Sequence, residues 1–228
     1  MAVLEKLACV QGIRSDVPNQ ELAGELASKN GSEEISEIVE NLWNKDKTIQ
    51  GNCIKVLYEI GYIKPALIAG YVDDFIKLLS NKNNRLVWGG MIALSTIAGI
   101  KYEELFKFRD TIKDAIEKGS VITVDAGIIT LSNMAACGEK YNNALFPYLI
   151  KYLKNCRPQS VAQYSESISV AVTEKNKSRF VKTVNGRKKI LTPPQLKRVD
   201  KLFKKTAIKN CLENNTHDMR GAPDQLAD

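Results

Sequence analysis

The chain has 228 residues, 44% of them apolar, and its 33 lysines and arginines against 26 aspartates and glutamates give a net charge of +7. None of its apolar runs approaches the ~18–20 residues of a membrane-spanning helix, and its first residues lack the long apolar segment of a signal peptide. We therefore expect a cytoplasmic protein with no membrane partner.

The cysteines and the single histidine narrow the possible chemistry. Five cysteines, an odd number without a Cys-x-x-Cys pair, favour reduced thiols over a disulfide framework. The only histidine, His217, lies in the polar C-terminal part of the chain, so histidine-based metal sites and Ser-His or Cys-His pairs lack an imidazole in the predicted fold. We expect no metal and no cofactor, and we interpret the chain as non-catalytic.

The first predicted segment is an N-terminal cap, residues 1–30. Two short helices are expected in it, Val3 to Val10 and Asn19 to Ser28. A terminal unit of this kind would close the end of an apolar core built by the segments that follow.

Residues 33–172 are predicted to form four regular repeats. Aliphatic side chains recur every 37 residues, as in Leu57, Leu94, Leu131 and Ile168. In the second unit, helical spacing of apolar residues predicts a first helix from Pro65 to Ser80, and the turn formers 81–84 separate it from a second helix. A unit of this size cannot bury its own apolar face, so the units are expected to stack in a row.

The turns and the glycines repeat as well. Asp46, Asn83 and Ser120 share one position, where each side chain is predicted to cap the start of a second helix. Gly90 and Gly127 share a position inside the second helix. Because a glycine there weakens the helix, its recurrence predicts close packing between helices.

The C-terminal part of the chain is strongly basic. Residues 174–205 are predicted to form a shortened cap repeat, and the polar residues 206–228 a disordered tail. Between Glu174 and Lys209 there are 13 lysines and arginines against two acids, a net charge of 13 − 2 = +11. The candidate basic patch consists of Arg187, Lys188, Lys189, Lys197, Arg198, Lys201, Lys204 and Lys205.

These features resemble the HEAT and armadillo families, in particular the short HEAT-like proteins of bacteria and archaea. The resemblance rests on residues 33–172, through the helix-turn-helix units, the capping position and the leucine position. It implies an all-α fold, a right-handed superhelix of about five helix pairs whose second helices line the concave face. Such folds serve as protein scaffolds, nucleic-acid binders and a few enzymes.

The concave face is where a partner is expected to bind. On the second helices, residues at i, i+4 and i+7 form a stripe opposite the core positions. An exposed tryptophan often anchors a partner, although Trp88 could instead pack between adjacent units. The candidate partner-binding residues are Lys55, Tyr58, Arg85, Trp88, Asp125 and Glu166.

Three functions remain open at this point. The leading interpretation is a scaffold that binds a protein partner on the concave face. The second is a nucleic-acid-binding protein that uses the basic patch, which could equally be a solvated cap. The third follows from a resemblance to HEAT-like DNA glycosylases and would use Trp88 and Asp125, although the aromatic-Asp motif of those enzymes is absent from the chain.

Overall fold

The computed structural model describes residues 3–204, and the regular structure within that range is helical. Lys205 of the basic patch and the predicted tail, residues 206–228, lie outside the described residues.

Twelve α-helices follow one another along this part of the chain, interrupted by short 3-10 turns. Their bounds are α1 Val17–Lys29, α2 Ser32–Glu40, α3 Lys47–Ile63, α4 Val72–Leu78, α5 Asn84–Ile97, α6 Tyr102–Lys107, α7 Arg109–Lys118, α8 Val121–Ala136, α9 Glu139–Asn155, α10 Val161–Ile168, α11 Glu174–Arg187 and α12, residues 193–204.

The second helices of the units stack on one another to form the spine of the molecule. α3 packs on α5, α5 on α8, and α8 contacts α10. They begin at Lys47, Asn84 and Val121, and the 3-10 turn that leads into α10 begins at Pro158, each 37 residues after the one before. The first helices form a second layer, in which α4 packs on α5 and α7 on α8.

The predicted caps at the start of the second helices are confirmed. Asp46 accepts a 2.7 Å hydrogen bond from the backbone N–H of Thr48, and Asn83 accepts one of 3.1 Å from that of Arg85. Ser120 accepts a longer bond, 3.4 Å, from Thr123. Each bond satisfies a helix N–H that has no partner within the helix.

The first helices are less regular than the apolar spacing predicts. In the second unit, 3-10 turns at Pro65–Leu67 and Ala69–Tyr71 precede α4, so residues 65–80 do not form one helix. Gly70 lies at this break, where its conformational freedom weakens a continuous helix. In the third unit, α6 and α7 meet at Phe108, whose φ of −101° and ψ of 11° lie outside helical values.

Close packing at the repeated glycines is also observed. A Cβ atom on Gly127 would lie 2.4 Å from Cγ1 of Ile116, and one on Gly90 would lie 3.0 Å from Cβ of Leu78. Both glycines therefore let a first helix approach the second helix of its own unit.

A side-chain hydrogen bond crosses each junction between neighbouring units. Four of the five donors are asparagine amides and one is a tyrosine hydroxyl. The donor and acceptor residues are Asn19–Asn52, Asn83–Gln50, Asn133–Ser95, Tyr164–Asp125 and Asn176–Asn142.

Candidate functional site

The second-helix stripe is covered at its N-terminal end and open further along. Lys55 is 8% exposed and Tyr58 7%. α1 packs on α3, and Asp16, directly before α1, places its carboxylate 3.7 Å from Nζ of Lys55. Trp88, Asp125 and Glu166 are partly exposed, and Arg85 is exposed. The cap thus buries the first unit's share of the stripe.

Lys55 is a paired cation rather than an open one. Its Nζ lies 2.6 Å from a carboxylate oxygen of Glu59 and 4.9 Å from the centroid of the Tyr58 ring. Burial works against the charged ammonium, but hydrogen bonds to Glu59 and Tyr58 outweigh it and raise the pKa of Lys55. The lysine stays charged near neutral pH with its charge directed into the protein.

Three aromatic rings follow one another where this buried part meets the open part of the stripe. The centroids of Trp88 and Tyr58 are 6.1 Å apart, and those of Tyr58 and Tyr62 are also 6.1 Å apart. Tyr62 is 62% exposed. The sequence had not singled out Tyr62, although it follows Tyr58 by one helical turn. Trp88 therefore both packs against the preceding unit and faces solvent.

The two acids of the stripe are occupied by other side chains. Asp125 accepts a 2.7 Å hydrogen bond from the hydroxyl of Tyr164. Glu166 accepts two hydrogen bonds from Arg198, from Nε at 3.0 Å and from a terminal nitrogen at 2.5 Å. Trp88 and Asp125, joined in the glycosylase alternative, thus have different partners.

Three tyrosines that the sequence analysis left out of the candidate site lie together in one groove. The ring centroids of Tyr148 and Tyr152 are 6.1 Å apart, and those of Tyr152 and Tyr164 are 6.0 Å apart. With Glu117 and Arg157 they line a groove of about 500 Å³ between the third and fourth units, which we name the tyrosine groove. Its sequence signal was Tyr164, which replaces the glycine of the earlier units.

Three residues of the basic patch are engaged in contacts within the protein. Arg187 donates hydrogen bonds to the carbonyl oxygens of Leu153, Lys154 and Cys156, which end α9. Lys188 lies 2.8 Å from Asp200, and Arg198 pairs with Glu166 as described above. These three side chains hold the last unit to itself and to the fourth unit.

The remaining lysines of the patch face solvent. Lys189, Lys197, Lys201 and Lys204 are exposed, and none of them forms an ion pair with another residue in the range 3–204. Lys197, Lys201 and Lys204 follow at i, i+4 and i+7 on α12 and so share a face of that helix.

Metal and membrane features were also sought in the described range. Residues 3–204 contain no group of three or more histidine, cysteine, aspartate or glutamate side chains arranged to hold a metal ion. Over the same part of the chain, no helix is long and apolar enough to cross a bilayer.

Comparison with known proteins places the fold. No protein-family profile and no curated protein matches the chain. A designed armadillo repeat protein in complex with the peptide (KR)4 is 13% identical, with a TM-score of 0.61 over 81% of this chain and 85% of that one. Computationally designed armadillo repeat proteins for modular peptide recognition match at 14% identity and a TM-score of 0.54, over 89% of this chain and 97% of theirs.

A natural protein shows the same likeness. Kap121p bound to Pho4p is 14% identical, with a TM-score of 0.53 over 82% of this chain and 21% of that one. Identities this low inform on the fold alone. Together with the stacked helical units, they show that the chain is a helical-repeat solenoid with the fold of the armadillo and HEAT proteins.

Proposed function

We propose that this protein is a non-catalytic scaffold that binds an extended segment of a partner protein along its second-helix face. The observation that carries the proposal is the partly exposed Trp88, held against Tyr58 beside the exposed Tyr62. A preorganised aromatic pair loses little side-chain freedom on binding, which is why such rings dominate binding energy in protein interfaces.

The open part of the stripe continues from Trp88 as an apolar surface. Ile92 and Ile129, at equivalent positions of the second and third units, are both partly exposed. Val121 and Ile122, at the start of α8, are 45% and 47% exposed. Solenoid curvature turns a face of this kind into an extended groove, a shape suited to an extended peptide.

The charges of this face support a partner recognised by apolar contacts. Lys55 is paired with Glu59, Asp125 with Tyr164 and Glu166 with Arg198. Because these charged groups already have partners, little net charge is left to attract a highly charged peptide. Binding should therefore depend only weakly on salt. The similar proteins described as peptide-bound support the general mode of binding.

Peptide selection from a random displayed library, followed by fluorescence anisotropy on the selected sequences, tests the proposal. Trp88→Ala should weaken binding at least about tenfold, as expected for an aromatic anchor. Trp43→Ala is the matched control, because Trp43 is 47% exposed but lies at the end of a first helix. An equal loss in both variants, or selected peptides that Trp88→Ala binds as well as the parent, would refute the proposal.

The unpaired lysines of α12 support a second candidate function, binding of nucleic acid. Lys197, Lys201 and Lys204 present three exposed charges on one helical face, an arrangement that attracts phosphates. The test is anisotropy of a labelled duplex and a labelled single strand across a salt titration. Lys197→Glu with Lys201→Glu should weaken binding and reduce the salt slope. Absence of binding at low salt would leave these lysines as a solvated surface.

A further inference from the structure

The tyrosine groove lies at the edge of the molecule where each first helix turns into the second. The end of α7 and the start of α8 form one side, and the end of α9 and the start of α10 form the other. Its volume of about 500 Å³ falls within the range of small-molecule sites, which are typically concave and lined by aromatic groups.

The aromatic lining is specific to this junction. A groove also lies between the second and third units, and there the equivalent positions hold Thr111 and Ala115. Tyr148 and Tyr152 follow these residues by 37 positions. Tyr164 follows Gly127 by the same step, and Gly127 admits the side chain of Ile116 to a distance that excludes a Cβ. The fourth unit therefore places rings where the third unit has small side chains.

The hydroxyl groups at the two ends of the tyrosine row are held in place by carboxylates. Tyr148 donates a 2.8 Å hydrogen bond to Glu117, and Tyr164 donates one of 2.7 Å to Asp125. Burial, followed by these carboxylates, raises the pKa of both phenols. The rings stay neutral near pH 7, and Glu117, the one acid that lines the groove, is engaged with Tyr148.

The cations of the groove have no such partners. Lys151 and Arg157 both line it and are exposed, and neither forms an ion pair with a carboxylate in residues 3–204. Nε of Arg157 donates a 2.9 Å hydrogen bond to the hydroxyl of Ser160, which leaves its terminal nitrogens available. The groove thus combines an aromatic surface with two uncompensated positive charges.

From these contacts we propose that the tyrosine groove binds a free nucleoside monophosphate, with the base against the Tyr152 ring and the phosphate held by Lys151 and Arg157. Aromatic side chains hold bases of any sequence by stacking, because every base has a flat π face. Guanidinium groups bind phosphate with two parallel hydrogen bonds. The site is separate from the peptide-binding face, and Trp88 takes no part in it.

Isothermal titration calorimetry with AMP, adenosine and inorganic phosphate tests the site on the full chain. AMP should bind more tightly than adenosine or phosphate, because only AMP engages both the rings and the cations. Arg157→Gln and Tyr152→Leu should each weaken AMP binding about tenfold or more. Tyr152→Phe keeps the ring and should bind AMP as the parent does, which separates stacking from a loss of folding.

Two control variants change similar residues outside the groove. Lys154→Gln removes an exposed cation from α9, and Tyr62→Leu removes an exposed ring from α3. Both should leave AMP binding unchanged. The proposal is overturned if AMP fails to bind at millimolar concentration, or if phosphate alone binds as tightly as AMP. It is also overturned if arginine amide, a cation, binds in place of AMP, since the rings and carboxylates would then form a cation site.

Discussion

The hydroxyl of Tyr164 in the fourth unit donates a 2.7 Å hydrogen bond to the carboxylate of Asp125 in the third unit. Tyr164 is buried, whereas Asp125 is partly exposed. The bond therefore links two units at the boundary between the core and the solvent, and it fixes the Tyr164 ring at one end of the tyrosine groove.

Loss of this hydrogen bond should destabilise the protein by a small, measurable amount. Tyr164→Phe keeps the ring and removes the donor, and we expect the free energy of unfolding to fall by about 1 kcal/mol, since water can still reach Asp125. Urea denaturation followed by circular dichroism measures it. Asp125→Asn keeps an acceptor oxygen and should cost less than Tyr164→Phe. The reverse order would mean that the carboxylate charge has another role.

The buried phenols predict a loss of stability at alkaline pH. Burial comes first among the causes that raise the pKa of Tyr148 and Tyr164 in the folded state, and the hydrogen bonds to Glu117 and Asp125 come next. Because the folded-state pKa lies above the unfolded value of about 10, the resulting stability is complete below pH ~10 and is lost as the pH rises toward the folded-state pKa.

Unfolding measured between neutral and alkaline pH checks this dependence. The variant Tyr148→Phe with Tyr164→Phe should lose less stability than the parent over the alkaline range, because two of its titrating groups are gone. Tyrosinate absorbance in the folded protein should appear later than in free tyrosine. Parallel curves for the parent and the variant would show that these two phenols do not contribute.

The repeated glycine predicts opposite effects at two helical positions. Gly127→Ala places a Cβ 2.4 Å from Cγ1 of Ile116, and such overpacking costs about 1–3 kcal/mol, more than the helix propensity gained. Gly24, inside α1, has open space around it, so Gly24→Ala should stabilise the protein by up to about 1 kcal/mol. Thermal unfolding of both variants measures the contrast, and stabilisation by Gly127→Ala would contradict the packing argument.

Arg187 should matter to stability more than the exposed lysines beside it. Its guanidinium donates to three carbonyls at the end of α9. Arg187→Ala should lower the free energy of unfolding by about 1–3 kcal/mol, because it leaves carbonyls at the end of α9 without donors. Lys189→Ala is the control, with an expected change within about 0.5 kcal/mol. Hydrogen exchange should also accelerate at the end of α9 in Arg187→Ala and in no other helix end.

The sequence allowed the all-helical stacked fold and the caps of the second helices to be predicted, because both depend on local spacing. Apolar periodicity identifies one face of a helix, and Asp46, Asn83 and Ser120 act within a few residues of their own positions. The breaks before α4 and at Phe108 were not predicted. The apolar spacing continues across them, and the backbone there follows from packing against other helices.

The candidate site was harder to predict, because exposure and pairing depend on residues that are distant in the sequence. Lys55 and Tyr58 have the same spacing as the exposed part of the stripe, but Asp16 and α1 cover them. Similarly, a count of charges in the basic patch does not distinguish Arg198, paired with Glu166, from the unpaired Lys197. Periodicity assigns residues to a face but does not show which segment will lie over it.

The side-chain hydrogen bonds that cross every junction make the units individual. Apolar positions alone would let one unit stack on another in several neighbouring alignments, since one aliphatic side chain can replace another. A bond such as that between Asn19 and Asn52, at 2.6 Å, forms in one alignment only. Because the donor and acceptor differ at each junction, a unit moved to another place in the row would lose its matching group. The order of the units is therefore written into these polar pairs, and the chain cannot be lengthened or reordered as an array of interchangeable modules.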